Sequence, residues 1–193
     1  MLTVIFELWP NAGRREDYLG LAGELRPELL RMDGFLGNER FESRREPGKM
    51  LALSSWRDEA ALAGWRAHAG HRVAQARGRR EIFRDYRLRI GETVGSAADG
   101  TARAVSLVEA EPGAPPVPPD LAPDAVEDRE TFESIYNPGK LAVVLSWRDM
   151  AAAGPWLAHP DLAGPGRQHR LMRVVRDYGL TRRGEAPRPT AAA

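Results

Sequence analysis

The sequence predicts an α+β protein built of two ferredoxin-like (split βαβ) repeats about a pseudo-twofold axis. Three observations carry that prediction. The chain repeats itself: Phe41-Glu42-Ser43, Pro47-Gly48-Lys49, Ser55-Trp56-Arg57-Asp58 and then Trp65, Ala67 and His68 recur as Phe132-Glu133-Ser134, Pro138-Gly139-Lys140, Ser146-Trp147-Arg148-Asp149 and Trp156, Ala158 and His159, at a constant offset without a gap. Arg84-Asp85-Tyr86 returns as Arg176-Asp177-Tyr178, displaced by one further residue. A repeat of this length decides architecture before any local pattern does, and two copies of one unit pack as two subunits of a homodimer would. Within a copy the pattern runs strand, helix, strand, strand, helix, strand, the order of a split βαβ unit. Each half has roughly 90 residues, a size that folds alone only marginally, so the halves are expected to share one core.

The elements follow in order. Thr3 to Leu8 is rich in β-branched and aromatic residues and reads as a strand, closed by a turn at Trp9 to Gly13. Tyr18, Leu21, Ala22, Leu25, Leu29 and Met32 recur at helical spacing, with Pro27 set to kink or shorten that helix. Phe35 to Ser43 reads as a strand with Phe35, Glu39, Phe41 and Ser43 on one side and Arg40 and Glu42 on the other. A Pro47-Gly48 turn leads into the buried-looking strand Met50 to Trp56. Asp58 is a good N-cap for a helix whose stripe is Ala61, Leu62, Trp65, Ala69, Val73 and Ala76, ended by Gly78. Ile82 to Ile90 alternates as a closing strand.

These elements divide the chain into repeat one at 1–91, a linker at 92–101, a shortened and divergent repeat two at 102–181 and a disordered tail at 182–193. Repeat two opens with a strand at Ala102 to Ala110. Where repeat one has its first helix, repeat two has Pro112, Pro115, Pro116, Pro118 and Pro119, which exclude a helix and predict an extended connector. Matching resumes at Phe132. Pro155, Pro160 and Pro165 then leave the second helix short or broken.

Composition excludes several function classes. The 193 residues carry 28 Lys and Arg against 27 Asp and Glu, a formal net charge of +1, so no basic excess asks for nucleic acid. With no Cys, disulfides, thiolate metal sites and Cys nucleophiles are out. The N-terminus runs into a strand pattern without a signal-peptide profile, and no apolar run approaches membrane-spanning length. A cytoplasmic protein without a membrane partner is expected.

A strand-helix-hairpin-helix-strand unit with Gly34-Phe35, Phe41-Glu42-Ser43, Pro47-Gly48-Lys49, Ser55-Trp56-Arg57-Asp58-Glu59, Trp65, His68 and Arg84-Asp85-Tyr86 resembles the antibiotic biosynthesis monooxygenase (ABM) family. The resemblance covers nearly all of repeat one and about two thirds of repeat two. It implies a dimeric α+β barrel, here fused into an intramolecular pseudo-dimer, with a pocket between each sheet and its helices. Further association of two such chains stays open. The resemblance also implies an oxidoreductase: a cofactor-independent monooxygenase acting on a phenolic or enolisable small aromatic substrate. The alternatives are a non-catalytic metabolite-binding or structural protein of the same fold, and a heme-binding or heme-degrading monooxygenase.

Within that frame His68 is the candidate catalytic residue. It lies three residues after Trp65 on nearly the same helical face, and imidazole titrates near neutrality, as a base for a phenol must. A substrate anion formed there can itself give electrons to O2, so no cofactor is expected. Trp65 offers a flat wall to an aromatic ligand, Tyr18, Tyr86 and Phe83 are the further lining residues, and Arg40 is suited to an anionic group. The bland readings are a packed His68, core aromatics and a solvated Arg40. His71 forms a His-x-x-His pair with His68, but no carboxylate completes a set and Leu162 replaces it in repeat two, so no metal is expected and His71 is read as exposed. The heme degraders of the superfamily resemble one another in three positions, which fall here on Glu7, Trp65 and Gln75; Gln75 is not an axial ligand.

Overall fold

A computed structural model describes residues 1–95, 100–121 and 124–187. Repeat one comprises β1 (Leu2–Pro10), α1 (Arg15–Leu29), β2 (Phe35–Ser43), β3 (Met50–Trp56), α2 (Glu59–Ala67), α3 (Ala69–Arg77) and β4 (Phe83–Thr93). Repeat two comprises β5 (Ala104–Ala110), β6 (Val126–Ser134), β7 (Leu141–Trp147), α4 (Met150–Ala153) and β8 (Arg167–Gly179). The strands close into one antiparallel barrel in the order β1-β3-β2-β6-β7-β5-β8-β4. Each repeat therefore contributes four strands in the same order, with the helices outside.

The repeats join at two seams, β2 with β6 and β4 with β8. At the first, Glu42 lies opposite Glu133, its counterpart in the repeat, so the pseudo-twofold axis passes between them. Closing the barrel leaves neither repeat with a free sheet edge. Residues of alternate register fill its lumen: Ile5, Phe41, Leu51, Leu53, Val105, Leu107, Phe132, Ala142, Val144, Met172 and Val174 form one cluster drawn from both repeats. Each repeat therefore buries its lumen face against the other.

The outer face of the sheet packs on the helices. Trp56 and Trp147 are fully buried there, and their indole N–H groups donate to Ser54 Oγ at 3.0 Å and Ser106 Oγ at 2.9 Å. Burying a large apolar side chain contributes about 1.5 to 3 kcal/mol, and the paired N–H avoids the desolvation cost. Asp58 and Asp149 both cap, accepting from Ala61 N–H at 2.9 Å and Ala152 N–H at 2.7 Å.

Several details differ from the pattern in the sequence. A bulge between Phe35 and Gly37 turns Phe35 away from Glu39, Phe41 and Ser43, so its ring packs edge-on against Trp56 at 5.2 Å. The second helix breaks at His68, whose backbone leaves helical geometry at φ −57, ψ 130. That break rotates α3, exposing Val73 and burying Ala74. The Arg84-Asp85-Tyr86 and Arg176-Asp177-Tyr178 segments are not equivalent in the barrel: Tyr86 lies opposite Leu8 of β1, whereas Tyr178 lies beyond β5, opposite Leu88. The expected linker begins inside β4, which runs on to Thr93, and its residues 96–99 lie outside the described residues. Residues 182–187 of the expected disordered tail fold back on the barrel, while 188–193 lie outside the described residues.

Candidate functional site

The helix-covered face of repeat one holds the candidate residues in two groups. In the first, α1 places Tyr18 under the sheet beside Phe6 of β1 and Phe83 and Tyr86 of β4. Phe83 meets Tyr18 at 5.6 Å, Phe6 meets Phe83 at 5.6 Å and Tyr86 at 5.4 Å, all edge-on. Tyr18 and Tyr86 are buried, and each hydroxyl receives a guanidinium. Arg40 Nε donates to Tyr18 Oη at 3.3 Å, with its charge 5.7 Å from the ring. Arg183 Nη1 donates to Tyr86 Oη at 2.7 Å. Burial raises the Tyr18 phenol above its usual range, and Arg40 only partly offsets this. This group thus joins Tyr18, Arg40, Phe83 and Tyr86. Arg183 was missed because the tail carries no pattern that predicts order.

The second group is Trp65 and His68. The His68 ring stacks on Trp65 at 5.3 Å, and its Nδ1 lies 3.4 Å from Glu28 Oε2. That contact is off hydrogen-bond alignment, so Nδ1 is buried without a partner. His71 is not exposed: it stacks on the same indole at 4.5 Å and its Nδ1 meets the Trp65 carbonyl at 2.9 Å. Burial pushes its pKa down to about 4. The two histidines thus both stack on one tryptophan instead of converging on an ion. Among the described residues, no group of three or more His, Asp or Glu side chains is placed to hold a metal.

The two groups stand apart. Tyr18 and Glu28 are ten positions apart on α1, or about 15 Å at 1.5 Å per residue, and His68 sits at the Glu28 end. Apolar side chains occupy the layer between the two groups, Leu88 touching both clusters. An open cleft of about 390 Å³ lies at the β2–β6 seam, lined by Arg15, Glu42, Ile135 and Pro138 among others. It adjoins the first group, since Ile135 N–H donates to the Arg40 carbonyl.

Among the described residues, repeat two holds no such arrangement. Its connector lays Val117 and Leu121 where α1 would pack, and Leu162, Trp156 and Leu157 complete a filled core. His159 still packs on Trp156 at 4.5 Å, while its Nδ1 accepts from Asp161 N–H at 3.3 Å. The Trp-x-x-His signature therefore marks a helix end in both repeats.

Sequence reasoning missed the charges inside the barrel. Lys49 Nζ lies 2.9 Å from Glu7 Oε1 and also pairs with Glu130; Glu7 reaches Arg89 at 2.7 Å, and Arg89 crosses the lumen to Ser146 Oγ at 2.8 Å. Burial works against both charges, yet Arg89 and Lys49 hold the Glu7 carboxyl below its usual range, and Glu7 and Glu130 hold the Lys49 ammonium above its own. Repeat two mirrors this: Lys140 with Glu39 at 2.7 Å and Glu109 at 3.7 Å, Arg170 with Glu109, and Arg170 to Ser55 Oγ at 3.0 Å. Lys49 and Lys140 are the only lysines in the sequence, which was the available signal. Glu7 therefore points into the lumen while Trp65 lies on the helix face, so the heme-degrader positions do not converge.

The fold and these contacts define an α+β barrel with a cluster of buried aromatic side chains and guanidinium groups on one repeat. Residues 1–77 match the family model for antibiotic biosynthesis monooxygenase. A protein of Pyricularia oryzae named jasmonate monooxygenase ABM is 32% identical over 216 residues, covering 97% of each chain. The chain belongs to the antibiotic biosynthesis monooxygenase family. Among solved structures, an aldoxime dehydratase matches with a TM-score of 0.56 at 12% identity, over 90% of this chain and 80% of its own, which shows a shared fold. An antibiotic biosynthesis monooxygenase matches at 22% identity and a TM-score of 0.42, over 49% of this chain and 99% of its own. No described helix is long and apolar enough to cross a membrane.

Proposed function

We propose that this chain is a monooxygenase that oxidises a phenolic or enolisable small molecule with O2 and no added cofactor, at the Tyr18–Arg40 end of repeat one. The observation that carries the reading is the guanidinium of Arg40 on the buried Tyr18 hydroxyl, inside a wall of four aromatic rings. A hydroxyl that accepts from a guanidinium in an apolar surround is left with its own proton to donate, and stabilises an oxyanion such as an enolate or phenolate. The likeness to a relative named for jasmonate, a small ketone carboxylate, supports an enolisable substrate. Oxidation balances without an external reductant when an activated CH2 becomes C=O: one O2 oxygen stays in the product, the other leaves as water, and the substrate supplies all four electrons.

The test is O2 uptake and product mass for a panel of phenols and enolisable ketones under ¹⁸O2. One O2 consumed and one ¹⁸O retained per product is expected, and Arg40→Gln is expected to lower kcat/KM by about 10- to 100-fold. A product that forms only with added flavin, heme or NADH overturns the cofactor-free reading. A second reading places the substrate against Trp65 with His68 as base, and the unpartnered buried Nδ1 of His68 favours it. His68→Ala abolishing turnover while Arg40→Gln spares it would select that reading.

A further inference from the structure

The tail that folds back over repeat one ends its contacts on the proposed site. Gly179 closes β8, and Leu180 N–H donates to the Tyr86 carbonyl at 3.2 Å. Leu180 and Ala186 then pack against the Tyr18–Tyr86 cluster. Arg183 reaches Tyr86 Oη at 2.7 Å and lies 5.8 Å from the Tyr178 ring. Beyond Leu180 one backbone bond holds the segment to β8, from Gly179 N–H to the Arg182 carbonyl at 2.8 Å, and the other ties to the barrel are through side chains: Arg103 Nη2 donates to both Glu185 carboxylate oxygens at 2.8 Å, and Glu185 accepts Asp177 N–H at 2.7 Å. Arg103 and Glu185 are both about half exposed, and exposed ion pairs of this kind hold weakly and yield to salt. The other walls of the cluster are α1, ladder-bonded strands, Ile82 of the helical turn before β4, and Ile135, whose N–H donates to the Arg40 carbonyl. This strap is a wall whose side-chain ties lie largely in solvent.

We propose that residues 180–187 form a lid over the aromatic site and that Arg183 is its substrate-reading residue, pairing with an anionic group such as a carboxylate on the molecule that enters beside Tyr86. The inference rests on the site reading above and extends it to substrate class. Arg40 and Arg183 sit on two tyrosine hydroxyls of one aromatic cluster. The ligand that satisfies both has an apolar body with an oxyanion at one end and a second anion at the other. Arg183 now spends its charge on a neutral phenol; a carboxylate there makes a charge-assisted pair, which is stronger.

The test uses the full chain with jasmonate and its methyl ester as probes, read by calorimetric binding and by kinetics. Arg183→Met is expected to weaken binding of the acid by about tenfold or more and that of the ester by less than about twofold, with Arg183→Lys partly restoring the acid. Raised salt is expected to speed hydrogen exchange in 180–187 before the barrel strands. Equal loss for acid and ester, or none for either, overturns the lid's reading role. Binding of the acid through Arg183 without turnover would overturn the monooxygenase reading and leave this one standing. Turnover that Arg183→Met leaves unchanged would do the reverse, and a wild-type chain that binds neither probe overturns both.

Discussion

The two repeats hold the same ion network in their halves of the barrel, yet one copy is sealed and the other open. Around Lys49 the side chains of Glu7, Glu130 and Arg89 are each no more than 6% exposed, whereas Lys140, Glu39, Glu109 and Arg170 are 13 to 17% exposed. Strand register explains the difference. Leu8 and Ala110 occupy matching positions, so Trp9 in repeat one corresponds to Glu111 in repeat two. Trp9 roofs the Lys49 ammonium at 4.7 Å, while Glu111 stands 3.7 Å from Lys140 beside an open cleft of about 270 Å³. On the outer face the contrast reverses. Repeat one carries α1 with its buried polar group at Tyr18, and repeat two fills that layer with apolar connector residues. A fused pair is free to diverge in this way because each half needs the other only for the shared lumen and seams. A true homodimer carries every change twice.

The largest effect that sharpens this contrast comes from the lysines. Lys49→Met takes the shared cation from two buried carboxylates, leaving Glu7 with Arg89 and Glu130 with Arg45 and Ser43, and is expected to cost about 3 kcal/mol. Lys140→Met leaves carboxylates that water reaches, and a loss of about 1 to 2 kcal/mol is expected. Urea denaturation of both variants reads the gap. Equal losses would mean that the Trp9 roof contributes nothing and that the two networks are equivalent in energy.

A smaller effect concerns pH. His71 has a folded pKa near 4, well below its ordinary value of 6.5, because burial against Trp65 disfavours the charged ring. A depressed histidine favours the native state fully above its unfolded pKa. That contribution, at most about 3 kcal/mol, is lost as pH falls from about 6.5 toward 4, where the unfolded chain takes up a proton the folded chain resists. Repeat two has the fully buried Leu162 in this position and no such liability. His71→Leu is therefore expected to flatten stability between pH 6.5 and 4.5 in thermal melts. An unchanged slope would place the acid sensitivity elsewhere.

How much of this was legible in the sequence depends on whether a feature is local. The repeat, the strands of repeat one, the Asp58 cap and the proline connector were all readable, because turn chemistry, capping and periodicity act over a few residues. Tyr18, Phe83, Tyr86 and Arg40 were named as candidates, and the structure brings those four together. Trp65 and His68 were named with them but belong to the far end of α1, since spacing on one helix does not say which part of another helix it crosses. The bulge at Leu36 hid the side taken by Phe35, because one inserted residue reverses a strand's alternation. Glu39, set on the same side as Phe41, already implied a charge in the lumen. Its partner Lys140 is 101 residues away, and only closure of the barrel brings them together.

The smallest effect probes where the repeats agree. Asp58 and Asp149 cap with the same extended backbone and the same bond to the third residue on, yet α2 has nine residues and α4 has four. If a cap's worth is set by the orphan N–H groups it satisfies, helix length is irrelevant. Asp58→Ala and Asp149→Ala should then each cost about 1 kcal/mol. Thermal melts of the two variants make the comparison. A loss at Asp149 more than about twice that at Asp58 would show that the one-turn helix stands on its cap alone. The Trp147–Trp156 stack at 5.9 Å, which packs the chain just beyond α4, would then contribute less to holding it than burial suggests.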